Sequence, residues 1–180
     1  MATRNCPSSR SVMDHNPSTG AIMVNMINLP ATIQDQCQRL ARDCYPHEAC
    51  GLLLASALTI SGRQYPGEKV LRITGFLPAR NTAPESIRRR SYQMDPRFLL
   101  NAQRTCRERG LAIAGIFHTH PDHPPVPSPT DLQEAWPVYV YMILHVRAAE
   151  FGSFMAWRLD EVTHRFHAIQ LAHETNPASP

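Results

Sequence analysis

The stretch Leu111-Ala112-Ile113-Ala114-Gly115-Ile116-Phe117-His118-Thr119-His120-Pro121 joins an apolar run to two closely spaced histidines. Its first seven residues form the short continuous apolar run that is typical of a buried strand. Residues two apart on an extended chain point in the same direction, so the imidazoles of His118 and His120 can converge on one ion. Because 9 of the 180 residues are histidines, a chance H-x-H pair is common, and the pair alone is weak evidence for a metal.

A candidate third ligand follows at the start of a short predicted helix. Asp131 comes ten residues after His120, across a connection with prolines at positions 121, 124, 125, 127 and 129. Two histidines and one carboxylate leave a tetrahedral zinc ion one open position, which is the catalytic rather than the structural pattern. An ordinary interpretation stays open, because Ser128-Pro129-Thr130-Asp131 is also close to a capping box that only begins a helix.

The elements around this stretch predict one α+β domain over residues 26–171, with a mixed sheet flanked by helices. Helices are predicted from Pro30 to before Pro46, from Asp95-Pro96 to Gly110, and from Ser128 to before Pro137. Strands are predicted at residues 26–29, 50–58, 70–77, 90–94, 111–117, 138–146, 154–159 and 164–171. Residues 1–25 are expected to be a disordered lead-in, and residues 172–180 a polar tail.

Charge and composition argue against several classes of protein. The chain has 18 basic and 15 acidic residues, and its net charge of +3 is too small to favour nucleic acid or an anionic membrane as a partner. The apolar runs fall short of the roughly 20 residues that a membrane helix needs, and no secretory signal is visible. Five cysteines without a C-x-x-C pair are typical of reduced thiols. We therefore expect a cytoplasmic protein.

A glutamate upstream of the histidines completes a larger pattern. Glu48 lies within Pro46-His47-Glu48-Ala49-Cys50-Gly51-Leu52-Leu53, directly before an apolar run. Together with H-x-H-P, six further residues and S-x-x-D, this arrangement resembles the JAMM (MPN-plus) metallopeptidase family, in particular its small stand-alone bacterial members. Asn81 and the segment Tyr92-Gln93-Met94-Asp95-Pro96 are less specific matches to the same family.

This resemblance implies a fold, a metal and a division of roles. The fold would be a single MPN-like domain, a β-rich α–β sandwich that binds one zinc ion per chain. His118, His120 and Asp131 would be the zinc ligands, with water in the fourth position. Glu48 would act as general base and then as general acid. Ser128 would donate a hydrogen bond to the oxyanion of the tetrahedral intermediate.

The resemblance also implies a substrate. Members of the family hydrolyse amide or isopeptide bonds at the C-terminus of ubiquitin-like proteins, and the small bacterial members resemble partners of sulfur-carrier proteins that end in Gly-Gly. A ubiquitin-like sulfur-carrier protein is therefore the expected substrate, and a homodimer is an open alternative to a monomer. Two other functions stay open, namely a catalytically silent MPN-type scaffold that binds a partner protein and a DNA-repair-associated relative.

Four other features have ordinary interpretations beside functional ones. His145 is either a core or strand-end histidine or a residue that supports the site from behind. The run Arg88-Arg89-Arg90 is more typical of a solvated loop than of a binding site for an acidic partner. Cys50, in an apolar run, is typical of a core thiol rather than a nucleophile. His123 could replace a ligand, but the prolines that follow it favour an exposed loop.

Overall fold

An eight-stranded mixed sheet forms the centre of the protein. The computed structural model describes residues 24–57, 70–148 and 150–174. The strands are β1 (Met26–Pro30), β2 (Cys50–Ser56), β3 (Val70–Arg72), β4 (Gly75–Ala79), β5 (Leu111–Pro121), β6 (Val140–Arg147), β7 (Glu150–Asp160) and β8 (Arg165–Glu174). Their order across the sheet is β3-β1-β8-β7-β6-β5-β2-β4. β5 pairs in parallel with β6 and antiparallel with β2, so the sheet is mixed, as predicted.

Two helices cover opposite faces of this sheet. Helix α1 (Ala31–Cys44) buries three residues in one apolar cluster, and helix α2 (Pro96–Glu108) buries two in another; these are Ile33, Cys37 and Ala41, and Ala102 and Cys106. Leu53 of β2 belongs to the first cluster, whereas Leu52 and Leu54 belong to the second. Because successive side chains of a strand point to opposite faces, the clusters lie on the two sides of the sheet. The result is the α+β sandwich that the sequence predicts.

The predicted ends of α2 are confirmed in detail. The Asp95 side chain accepts a hydrogen bond of 2.8 Å from the Arg97 N–H, and Pro96 occupies the first helical turn. Gly110 follows the helix with a φ of +66°, a left-handed conformation in which glycine carries no steric penalty. These local signals fix where α2 ends and where β5 begins.

A second glycine lets β5 and β6 approach closely. A Cβ atom on Gly115 would lie 2.5 Å from the carbonyl oxygen of Val140 and 2.6 Å from its Cγ2 atom. The oxygen is a backbone atom of the paired strand β6 and not the end of a flexible side chain. A side chain at position 115 would therefore push β6 away from the strand that carries the two histidines.

The strand predicted over residues 70–77 is two strands in the structure. The Ile73 N–H donates to the Asn28 carbonyl at 3.0 Å, and the Thr74 N–H donates to the Leu54 carbonyl at 2.8 Å. The chain thus changes partner between these two residues, so that β3 pairs with β1 and β4 pairs with β2.

The prediction of a strand over residues 90–94 is wrong. This segment is irregular, because its backbone groups bond to a loop instead of a strand. The Asn81 amide bonds to the Ser91 carbonyl and the Gln93 N–H, and the Thr82 N–H donates to the Gln93 carbonyl.

Other strand limits differ from the predicted ones by a few residues. β5 continues to Pro121, four residues past its predicted end, because β6 pairs with it along that length. β7 begins at Glu150 and β8 reaches Glu174. The predicted lead-in up to residue 23, the predicted strand end at residue 58, and residues 175–180 lie outside the described residues. Within the described ranges, no helix is long and apolar enough to cross a membrane.

Candidate metal centre

The end of β5 carries both predicted histidine ligands into the interior. His118 is 0% exposed and His120 is 7% exposed, and their Nε2 atoms lie 3.2 Å apart. Thr119 between them points to the other side of the strand, where its Oγ1 atom accepts a 2.8 Å hydrogen bond from the Ala49 N–H. The two imidazoles therefore share one face of a strand that is held by its neighbours.

Asp131 reaches the histidines from the start of helix α3 (Pro129–Glu134). Its Oδ1 atom lies 3.2 Å from Nε2 of His118, and its Oδ2 atom lies 3.6 Å from Nε2 of His120. Asp131 and Ser128 also form a complete capping box at this helix. The same carboxylate therefore begins a helix and faces the histidines.

The spacing of these three side chains fits a zinc ion. Zinc bonds of about 2.0–2.2 Å in a tetrahedron separate neighbouring ligand atoms by about 3.3–3.6 Å. The separations among the two Nε2 atoms and the carboxylate oxygens are 3.2, 3.2 and 3.6 Å. Two imidazole nitrogens and a carboxylate oxygen are also a donor set that zinc accepts. His118, His120 and Asp131 thus form a group that could hold a metal ion.

A backbone carbonyl orients one of the two imidazoles. The Nδ1 atom of His120 lies 2.8 Å from the Pro124 carbonyl oxygen. Because a carbonyl only accepts, Nδ1 is the donor, and in the neutral ring the Nε2 lone pair points at the cluster. The next carbonyl of this proline-rich loop, that of Pro125, accepts a 3.0 Å hydrogen bond from the Trp157 indole.

An aromatic ring supports the other imidazole. The Tyr92 ring stacks on His118 with centroids 4.8 Å apart and an angle of 29° between the planes. Among the described residues, the buried Nδ1 atom of His118 has no hydrogen-bond partner. On its Nδ1 side, the position of this ring is therefore set by packing, whereas Nε2 faces Asp131. Apart from its place in a segment that resembles the family, nothing in the residue pattern pointed to a role of Tyr92 in the site.

The charges at the site suit a cation. Burial lowers the pKa of His118, although Asp131 partly offsets the effect. Burial also acts to lower the pKa of His120, but the hydrogen bonds with Asp131 and the Pro124 carbonyl outweigh it and raise the pKa. For Asp131, burial acts to raise the pKa, but its polar contacts with His118, His120 and Ser128 outweigh burial and hold the pKa well below the usual range. The carboxylate therefore remains ionised.

Glu48 lies beside this cluster, directly before β2. The Thr119 N–H donates to the Ala49 carbonyl at 3.1 Å, which continues the antiparallel pairing of β2 with β5. Glu48 is the residue directly before Ala49 in the chain. Its side chain interacts electrostatically with His120 and Asp131. It is only 5% exposed, and burial raises its pKa to about 8, with His120 lowering it and Asp131 raising it. A buried carboxyl of this kind is typical of a proton-transfer group.

A cleft of about 580 Å³ opens at Ser128 and Asp131. It runs along α2, and its rim carries three large apolar side chains that are more than half exposed, namely Leu100, Trp136 and Val138. Clustered exposure of apolar side chains is typical of a binding surface. The cleft thus combines a wall at Ser128 and Asp131 with exposed apolar side chains.

Two histidines outside the cluster have ordinary surroundings. His145 pairs in register with His120 across β5 and β6, and it is half-buried. A Cβ atom on Gly152 would lie 2.5 Å from its Nδ1 atom, so the glycine leaves room for this ring in the sheet. His123 is exposed and lies outside the group formed by the three candidate ligands.

Two side chains of the arginine run are paired, one within its own loop and one with the loop after β5. Arg88 donates to the Ala83 carbonyl at 2.7 Å and pairs with Glu85 at 2.7 Å. Arg89 pairs with Asp122 at 2.8 Å. Cys50, the other candidate reactive group, is fully buried, and burial raises its pKa to about 12, as expected of a core thiol.

Comparison with known proteins gives one family. The family model of prokaryotic homologs of the JAB domain matches residues 30–160. A desampylase of Haloferax volcanii is 32% identical over 99 residues, which are 54% of this chain and 62% of the relative. A desampylase of Pyrococcus furiosus is 38% identical over 72 residues, 39% of this chain and 48% of the relative. A probable TtuB-protein conjugate cleaving protease of Thermus thermophilus is 38% identical over 59 residues, 33% of this chain and 38% of the relative.

The chain thus spans about half the length of the curated relatives it matches. Two solved structures resemble it over most of both chains. A protein of Desulfitobacterium hafniense has a TM-score of 0.67 at 23% identity, covering 84% of this chain and 94% of the other. A protein of Salinibacter ruber has a TM-score of 0.59 at 32% identity, covering 86% and 95%.

Proposed function

The chain belongs to the prokaryotic homologs of the JAB domain, and on that premise we propose that it is a zinc-dependent metallopeptidase. In this proposal it hydrolyses the amide or isopeptide bond at the C-terminal Gly-Gly end of a ubiquitin-like sulfur-carrier protein. One zinc ion per chain is held by His118, His120 and Asp131. Glu48 and Ser128 are the catalytic residues.

The observation that carries the proposal is the separation of the three donor pairs, 3.2, 3.2 and 3.6 Å. These separations, of which the two Asp131 distances run to different oxygen atoms of its carboxylate, are close to those between neighbouring ligand atoms of a tetrahedral zinc ion. Three side chains from the protein leave one position open, and the cleft adjoins Asp131. Both features suit a catalytic rather than a structural metal.

The chemistry divides between the ion and the side chains around it. When bound, zinc supplies Lewis acidity, which lowers the pKa of a water molecule toward neutrality and polarises the scissile carbonyl. Glu48 takes a proton from the attacking water and returns it to the nitrogen of the departing amine. Its burial suits this role, because a carboxyl shielded from water passes the proton to the substrate and not to the solvent.

Ser128 is suited to stabilise the oxyanion. Its Oγ atom accepts a hydrogen bond from the Asp131 N–H, so the hydroxyl hydrogen remains available to the substrate. Ser128 also lines the cleft. A donor fixed at the start of a helix needs little reorganisation when negative charge develops on the carbonyl oxygen.

The cleft supports an extended, side-chain-free tail as the substrate. Gly-Gly lacks side chains, so it passes through a narrow groove in an extended conformation. The apolar rim at Leu100, Trp136 and Val138 would contact the body of the ubiquitin-like protein. The name of the Thermus thermophilus relative, a protease that cleaves TtuB-protein conjugates, supports a conjugate as the substrate.

The test compares wild type with Glu48→Gln on defined adducts. The substrate is a ubiquitin-like sulfur-carrier protein ending in Gly-Gly, joined to one amino acid by a peptide bond or to a lysine side chain by an isopeptide bond. Mass spectrometry should show that zinc-loaded wild type releases the free Gly-Gly end. Glu48→Gln should keep one zinc per chain and slow the reaction by about 10²–10⁴-fold.

The matched control is Glu108→Gln, an exposed position at the end of α2 that should leave turnover unchanged. Equal cleavage by wild type and Glu48→Gln would show that Glu48 is not the base. Stoichiometric binding of the carrier without hydrolysis would favour the silent scaffold. Tight, salt-sensitive binding of DNA would favour the DNA-repair relative.

A further inference from the structure

The side-chain amide of Asn81 uses all of its hydrogen-bonding capacity. Its Nδ2 atom donates to the carbonyl oxygens of Glu48 and Ser91, both at 3.0 Å. Its Oδ1 atom accepts from the N–H groups of Ala83 at 3.0 Å and Gln93 at 3.2 Å. Two carbonyls on one side and two N–H groups on the other leave one orientation of the amide. Every partner is a backbone group, so the amide itself has no capacity left for a substrate.

These bonds connect two parts of the candidate site. One goes to the backbone of Glu48, the proposed proton carrier. Two others, to Ser91 and Gln93, flank Tyr92, whose ring stacks on His118. Asn81 therefore joins the backbone of the base to the aromatic support of a metal ligand.

The loop that contains Asn81 and Arg88 bonds to both the N–H and the carbonyl of Glu48. Its N–H donates to the Arg88 carbonyl at 2.8 Å, and its carbonyl accepts from Asn81. The next residue, Ala49, is fixed to Thr119 on the histidine strand. Loss of the Asn81 donor would leave a carbonyl beside a buried carboxyl without its partner, and the backbone would move to recover one.

We propose that Asn81 is a positioning residue that sets the placement of the Glu48 carboxyl relative to the group of His118, His120 and Asp131. This inference rests on the proposed function, because it takes the role of Glu48 from there. Asn81 acts through Glu48 and through the Tyr92 segment and does not touch the reacting atoms.

The kinetic test places Asn81→Ala in two backgrounds of the zinc-loaded protein, wild type and Glu48→Gln. In the wild-type background kcat should fall by about 10–100-fold, since a small misplacement of a reacting group has an effect of this size. KM should change by less than about 2-fold, because a group that acts on the chemical step leaves substrate binding unchanged. In the Glu48→Gln background the further loss should be less than about 2-fold, since the group that Asn81 positions is already gone.

The matched control is Asn101→Ala, an exposed asparagine on α2. Asn81→Asp is the second variant, because it keeps the oxygen that accepts from Ala83 and Gln93 but loses the donor to Glu48. It should show the same dependence on Glu48 as Asn81→Ala. Both variants should keep one zinc per chain.

A spectroscopic readout tests the contacts without any substrate. Amide hydrogen exchange at Ala83 and Gln93 should accelerate in Asn81→Ala and not in Asn81→Asp. The ring protons of His118 should shift in Asn81→Ala as Tyr92 moves. If wild type cleaves no carrier adduct, the proposed function fails, and these signals still decide whether Asn81 holds the site.

Three results would overturn the proposal. Turnover of Asn81→Ala within 2-fold of the Asn101→Ala control would show that the amide has no positioning role. An equal loss in both backgrounds would show that it does not act through Glu48. Failure of both Asn81 variants to fold would assign Asn81 to general stability.

Discussion

Ser128 and Asp131 hydrogen-bond each other's backbone. The Asp131 N–H donates to the Ser128 Oγ atom at 3.1 Å, and the Ser128 N–H donates to the Asp131 Oδ2 atom at 2.6 Å. The capping box is an ordinary way to begin a helix. Here it also fixes a carboxylate against two histidines and a hydroxyl at the edge of the cleft.

Because of this arrangement, Ser128→Ala should lower both stability and turnover while leaving zinc binding intact. The helix loses its cap, which lowers the free energy of unfolding by about 1 kcal/mol. Turnover should fall by about 10²–10³-fold with the loss of an oxyanion donor. Zinc content should stay at one per chain, because the backbone N–H of residue 128 still orients Asp131. Urea unfolding, metal analysis and turnover assays measure stability, zinc content and activity.

The control is Ser153→Ala, at an exposed position of β7. Unchanged turnover in Ser128→Ala would show that the serine has no part in the mechanism.

The burial of Glu48 predicts a pH dependence of stability in the metal-free protein. Its pKa rises to about 8 in the folded state, against about 4.3 in an unfolded chain. A group whose folded pKa is raised contributes stability that is fully present below the unfolded pKa and is lost as the pH rises through the folded pKa. The free energy of unfolding of wild type, measured relative to Glu48→Gln, should therefore fall between about pH 4.3 and pH 8.

Urea unfolding in a chelator at pH 5, 7 and 9 measures this difference, and other titrating groups cancel in the comparison. Glu108→Gln should follow wild type, since that glutamate is exposed. If wild type and Glu48→Gln changed in parallel over this range, Glu48 would be solvated in the folded protein, and its assignment as a buried proton carrier would be wrong.

The apolar rim of the cleft predicts a split between protein and peptide substrates. Leu100 is 54% exposed and lines the cleft from helix α2. Leu100→Asp should raise KM for a carrier conjugate by about 10-fold, or about 1.4 kcal/mol of binding, with little change in kcat. Hydrolysis of a short peptide in which one amino acid follows Gly-Gly should be unaffected. Val162→Asp changes a residue that is 94% exposed and lies outside the cleft, so it is the control. An equal rise of KM in both variants would show that the rim has no specific role.

The parts of the fold that depend on local signals were predictable from the sequence. Asp95, Pro96 and Gly110 act on neighbouring backbone groups, and they fix both ends of α2. The length of β5 was not predictable in this way, because its last residues become strand only through pairing with β6. The break between β3 and β4 likewise depends on partners far along the chain, Asn28 and Leu54.

The candidate site likewise has parts that follow from local sequence signals and parts that depend on contacts between distant segments. The spacing of His118 and His120 is local, since a strand of period 2 places both on one face whatever surrounds it. The approach of Asp131 depends on the path of the proline-rich loop. Its place ten residues after His120 made it a candidate, and the resemblance to a known family implied its role as a ligand. The four bonds of Asn81 join three separate segments, so no spacing in the sequence predicts them.

X-ray absorption at the zinc edge of the zinc-loaded protein tests the central claim most directly. The predicted result is one zinc ion per chain with two imidazole nitrogens, oxygen in the remaining positions and no sulfur. A cysteine sulfur or a third imidazole in the coordination shell, or no stoichiometric zinc at all, would contradict the assignment of His118, His120 and Asp131 as the metal ligands.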